Sequence, residues 1–272
     1  MLKKLCLLLM LAPVLFAMQV HAQEAETTDS DCLFDFSLGA DVMNRYVWRG
    51  TQFSKAPVIQ PAMEIGFKGL ALGVWGSYSF DGINDGSEAD LYLSYTFLND
   101  MLTATVTDYF FPNDNTSRNK YFNYNEDETG HILELTLAFN GTENLPLTFL
   151  VASNVYGADA KKVIDDPASA DFNKTDGNQF STYFEVGYGF SIKQNDLNVF
   201  VGGTINKPKE ADDETGYTGE SGFYGQTAGV VNLGLTASRN IEITEKYALP
   251  VQASFITNPM SGDVFLVFGI SF

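Results

Sequence analysis

From Asp263 to Phe272 every second residue is apolar. Val264, Leu266, Phe268, Ile270 and Phe272 share one face of an extended strand, and an aromatic residue closes the chain. About twelve segments with this period of two can be drawn through residues 34–272, joined by turns that are alternately short and long. A segment with one apolar face must bury that face or hold it against a non-aqueous medium. In a membrane every main-chain polar group must also be paired, which only helices and closed barrels achieve. Even-numbered short strands with alternating loop lengths are the sequence form of the second solution. The expected class is therefore all-β, a transmembrane antiparallel up-and-down β-barrel of about twelve strands. Ten or fourteen strands remain as alternatives, because the segments near Leu102, Leu147 and Pro250 alternate less cleanly.

The beginning of the chain reads as a secretory leader. Lys3 and Lys4 form a positive start, Leu5 to Phe16 an apolar core, and Val20-His21-Ala22 a small-residue cleavage site. Residues 1–22 are expected to be removed, 23–33 to form a short periplasmic segment, and 34–272 to form the barrel. No later apolar run reaches the eighteen or so residues of a membrane helix. Once Cys6 leaves with the leader, Cys32 stands alone and no internal disulfide can form. A soluble sandwich would also alternate, but the leader, the terminal phenylalanine and the loop asymmetry argue for the bacterial outer membrane. That location brings lipid and lipopolysaccharide as partners, and the barrel-assembly machinery as the expected reader of Phe272.

The phases follow from the alternation. In a first strand from about Phe34 to Arg49, Phe34, Phe36, Leu38, Ala40 and Val42 face outward, with Tyr46 and Trp48 as an interfacial girdle. Asp35, Asp41, Arg45 and Arg49 then face inward. The same reasoning turns Glu64, Trp75, Asp90, Tyr92, Glu134, Tyr183 and Glu185 into the lumen, and leaves Tyr109 open. Pro61 is expected to limit or bulge the second strand. Asp108 shares a face with Leu102, Ala104 and Val106, which calls for a bulge or an early strand end. Val231 is assigned outward, and Pro250 is read as the start of the eleventh strand.

Charge and motifs exclude several chemistries. The net charge of −18 becomes −20 without Lys3 and Lys4, which argues against nucleic acid and for raised cation concentration at a pore mouth. Removal of His21 leaves only His131, with no local serine and orienting acid, so no histidine-based catalysis is expected and no enzyme is assigned. One His with one Cys cannot complete an ordinary zinc site, and no cofactor or metal is expected. The acidic runs Glu126-Asp127-Glu128, Asp165-Asp166 and Asp212-Asp213-Glu214 lack EF-hand spacing and read as solvated loops.

The stretch Asn44-Arg45-Tyr46-Val47-Trp48-Arg49-Gly50-Thr51-Gln52, followed by Pro57 to Gln60 and Gly73-Val74-Trp75-Gly76, resembles the opening of the TorF-type porins. These are bacterial outer-membrane barrels of largely undefined activity. The resemblance implies a porin-like protein and carries over no catalytic residue. Two functions stay open. In one, Asp41, Arg45, Arg49, Glu64, Asp90, Glu134 and Glu185 set a field across a narrow pore for small polar solutes, mildly cation-preferring, with Trp75, Tyr92 and Tyr183 as its constriction. In the other, the same residues fill a closed barrel whose acidic outer loops bind a partner or ligand.

Overall fold

The computed structural model describes residues 34–82, 86–112, 120–126 and 128–272, so the expectations for the leader, Cys32 and Asp127 fall outside the described residues. Sixteen strands are present among them. In chain order they are β1 (Asp35–Met43), β2 (Tyr46–Trp48), β3 (Thr51–Ser54), β4 (Val58–Phe67), β5 (Leu70–Ser79), β6 (Glu88–Phe97), β7 (Leu102–Phe110) and β8 (His131–Phe139). They continue with β9 (Leu147–Gly157), β10 (Lys161–Val163), β11 (Thr175–Asn178), β12 (Thr182–Ile192), β13 (Asn195–Thr204), β14 (Gly229–Thr244), β15 (Tyr247–Asn258) and β16 (Asp263–Ser271). Twelve of them close a barrel in the order β1-β16-β15-β14-β13-β12-β9-β8-β7-β6-β5-β4, all neighbours antiparallel. The other four form two small hairpins outside the wall sheet, β2–β3 and β10–β11.

One end carries tight turns. Lys68-Gly69, with φ of 48° and 84°, is a two-residue turn of the mirror-image type whose twist matches the strands it joins. The other end carries the long connections. Along the wall, alternation holds as expected: Leu38, Ile65, Leu72, Leu93, Val106, Leu135, Val199, Leu235 and Leu266 are exposed on the outer face. Near the short-turn end this belt is bordered by aromatic pairs, with Phe34 stacked on Phe67 at 4.9 Å, Tyr95 on Phe97 at 5.9 Å and Tyr188 on Phe190 at 6.1 Å.

Five local expectations are corrected. The first strand stops at Met43, and Tyr46 and Trp48 turn inward, 3% and 7% exposed, instead of joining an outer girdle. Pro61 lies inside β4, paired with Ala40 of β1; the β4–β5 ladder merely skips Gln60 and Pro61 and resumes in the same register, because only one ladder lacks the N–H. Asp108 does face outward on an unbulged β7, and the polar partners that accommodate it are Tyr124 of the connection that follows and His131 at the start of β8. Val231 is 1% exposed and packs inward, because β13 and β14 shift register between Gly202 and Gly203. Pro250 sits well inside β15, opposite Asn240.

That last pairing belongs to an overhang. β14 and β15 pair with each other from Arg239 to Val251, while β13 stops pairing with β14 at Ser238 and β16 begins pairing with β15 at Val251. The hairpin tip therefore projects beyond the wall at the short-turn end. At the opposite end, the long connections pack on one another. Tyr217 donates to the Val163 carbonyl at 3.2 Å, the Val163 amide donates to Glu220 at 3.1 Å, and Lys209 pairs with Asp165.

Candidate functional site in the lumen

The connection from β1 to β4 is the element that defines the interior. Instead of arching over the rim it folds down as the β2–β3 hairpin. Its turn is Arg49-Gly50, both with positive φ (48° and 76°), again the mirror-image type. A side chain at Gly50 could not be accommodated: a Cβ there would lie 1.8 Å from the Val231 carbonyl oxygen of β14. The Gly50 carbonyl also accepts a hydrogen bond from Asn258 Nδ2 at 3.2 Å. The tip thus rests on β14 and the end of β15.

Arg49 carries the hairpin's main polar attachment. Its two terminal nitrogens donate to the Glu134 carboxylate of β8, at 2.5 and 2.9 Å, and Nη1 also donates to the Tyr224 hydroxyl at 2.5 Å. The guanidinium lies 4.3 Å from the Trp48 ring centroid and 4.6 Å from that of Tyr183. Glu134, 0% exposed, further accepts from Tyr109 and Thr136, both at 3.0 Å. A bidentate Arg–carboxylate pair with its remaining lone pairs satisfied is the arrangement in which buried charges persist.

Two polar groups flank this pair. On one side, Tyr46 donates to Glu88 of β6 at 2.7 Å, its ring 5.6 Å from Trp75; Asp90, two residues further along β6, is buried with neither oxygen partnered. On the other, Tyr183 and Asn232 both donate to Glu185, Asn232 at 3.0 Å. Tyr92 and Glu64 form a separate pair at 2.8 Å. Between the hairpin and the walls lies a cavity of about 90 Å³, lined among others by Asp41, Arg45, Trp75, Glu185 and Asn232.

The structure therefore gathers Arg49, Glu134, Tyr183 and Glu185 into one network and sets Trp75 and Asp90 beside its Tyr46 flank. Asp41 and Arg45 share the cavity, and Glu64 and Tyr92 stand apart. Arg45 and Arg49 reach the interior from the hairpin segment, not from a wall strand as the parity argument had them. Sequence reasoning missed Glu88, placed in a loop, and Tyr224; it turned Asn232 inward without naming it a site residue, and it left Tyr109 open. A signal for the hairpin did exist: Arg49-Gly50 between aromatic residues is a two-residue turn in a segment otherwise read as one long strand. Tyr224 follows a Gly/Ser-rich stretch and carried none.

A second cluster lies on the outer wall. His131 points outward, yet is 0% exposed. Its Nδ1 is 2.8 Å from Asp108 and its Nε2 2.5 Å from the Tyr121 carbonyl, so each ring nitrogen faces an acceptor. The ring stacks on Tyr124 at 4.2 Å, and Tyr124 donates to Asp108 at 2.7 Å. This knot holds residues 120–126 against the barrel. In the outer connections, Asp212 accepts from the Glu214 amide and the Thr215 hydroxyl, which hold its exposed carboxyl below the ordinary range.

A family model described as "Bacterial protein of unknown function (Gcw_chp)" matches residues 26–202. Among solved structures, one described as "NanC porin structure in rhombohedral crystal form" is 9% identical with a TM-score of 0.43, covering 86% of this chain and 98% of its own. Another, described as "Unveiling the Mechanism Behind the in-meso Crystallization of Membrane Proteins", is 8% identical with a TM-score of 0.40, covering 86% and 82%. No curated protein matches.

Proposed function

The chain belongs to the Gcw_chp family of bacterial proteins of unknown function, and we propose that it is a porin-like channel of the outer membrane that passes small polar solutes with mild cation preference. The observation that carries this reading is a closed twelve-stranded wall, apolar outside and charged inside. Unpaired sheet edges are absent from a closed barrel, and an exposed apolar belt bordered by aromatic residues suits hydrocarbon and its interfaces. The aromatic stretch from Tyr46 to Gly50 supports a place near the TorF-type porins. Inward carboxylates at Asp41, Glu64, Glu88, Asp90, Glu134 and Glu185 outnumber Arg45 and Arg49, which favours cations. No catalytic role is assigned to any of them.

In this arrangement the β2–β3 hairpin stands across the lumen, so passage requires it to shift. The purified barrel in planar bilayers should give discrete conductance steps, with a reversal potential favouring cations in a salt gradient. The hairpin also favours a second reading, a permanently closed barrel whose acidic outer loops bind a partner. Silence at all voltages, both for the wild type and for a variant with the hairpin removed, would leave only that reading.

A further inference from the structure

The cavity beside the hairpin has properties that its role as leftover space does not explain. Among the described residues Arg45 has neither a hydrogen-bond nor an ion-pair partner, and its Nε is buried. The Nε of Arg49 and the Oδ1 of Asn232, both on the same cavity, are also unpartnered. Buried donors and acceptors without partners are rare, because each costs its full hydration. Arg45 is held in place from outside. The preceding Asn44 is stitched to β16, its amide donating to Phe268 and its side chain bonded to Leu266 and Phe268.

The same cavity is also lined by Asp41, 9% exposed, which accepts a hydrogen bond from Ser271 and makes no ion pair with Arg45. A carboxylate has about four acceptor positions. A positive and a negative group that line one cavity without meeting form a fixed dipole. The rest of the lining is mixed: Met43, Phe200, Ile256 and Val267 are apolar, while Gln60, Glu185, Asn232 and Gln252 are polar. At about 90 Å³ the space exceeds what one water needs, roughly 10–15 Å³, and admits a small organic molecule.

We propose that this cavity binds a small zwitterion of the free amino-acid class, its carboxylate taken by Arg45 and its ammonium by Asp41. The guanidinium fork matches a carboxylate in two-point geometry, which a lysine would not. The proposal names the solute class for the channel reading and rests on it for biological meaning, while binding itself can be measured without transport.

The chain supplies its own reporter. It has two tryptophans, Trp48 and Trp75, and both line the cavity. Detergent-solubilised barrel titrated with glycine and L-alanine should show a saturable change in tryptophan fluorescence. Propionate, which lacks the ammonium, and ethylamine, which lacks the carboxylate, should bind at least tenfold more weakly. Arg45→Gln should lose the glycine response, and Asp41→Asn should shift preference towards propionate. Heat-modifiable electrophoretic mobility would confirm that each variant is folded. If Arg45→Gln does not fold, the ligand series on the wild type and Asp41→Asn decide the matter. A flat titration, equal binding of propionate and glycine, or an Arg45→Gln response like the wild type would overturn the proposal. A barrel that binds glycine and never conducts would sink the channel reading alone; one that conducts and binds nothing would sink the binding site alone.

Discussion

At the scale of single residues, Glu134 is the position on which most depends. Among the described residues it is the only carboxylate paired with Arg49, and it lies in a buried network with Tyr109, Thr136 and Tyr224. Removing one partner of a buried pair strands the other charge, which typically costs about 3–5 kcal/mol, whereas replacing both by apolar groups of similar volume can be near neutral. Glu134→Gln should therefore lower the unfolding free energy measured by urea titration by an amount in that range, and Arg49→Met combined with Glu134→Leu should recover most of it. A double variant as unstable as the single one would mean that the pair adds net stability. Arg49 was legible from sequence as an inward residue, but for the wrong reason. Parity along an imagined long strand placed it correctly, while the turn at Gly50 in fact brings it there.

Two elements outside the wall strands decide what the barrel can do. Replacing residues 45–54 by a short Gly/Ser link should leave the twelve strands intact, since none of them pairs with β2 or β3 in the wall. The same change should raise single-channel conductance severalfold. An unchanged conductance would mean that the hairpin is not the constriction. The outer knot governs the β7–β8 connection: Asp108→Ala removes the acceptor shared by His131 and Tyr124. The expected result is rapid proteolytic cleavage within residues 120–126 of Asp108→Ala and slow cleavage in the wild type. Reading the alternation alone missed both elements. A period of two reports which side a residue takes on a strand, and it says nothing of a strand that leaves the sheet. Asp108 looked like an error in the alternation because its partners, Tyr124 and His131, lie 16 and 23 positions along the chain.

For the molecule as a whole, the architecture was readable because each level of the sequence agreed with the next: alternation, turn length and strand number all converge on closure. The interior was readable only in part, because long connections fold by contacts that no local rule encodes. Overall charge gives a prediction at this scale. On the proposed channel reading, a net charge of −18 would repel anions at the entrances, and Arg45 and Arg49 would oppose that field from within. Arg45→Ala with Arg49→Ala should move the reversal potential further towards cation selectivity, and by less in molar salt, where exposed charges are screened within about 3 Å. No movement at low salt would mean that neither arginine senses the permeating ion. The overhanging tip of β14 and β15 has a consequence of its own. From Arg239 to Pro250 each of these strands has a companion on one flank only, so half of its amides have no ladder to protect them. In heavy water this stretch should take up deuterium within seconds to minutes, while the encircled girth of the cylinder stays protonated for hours.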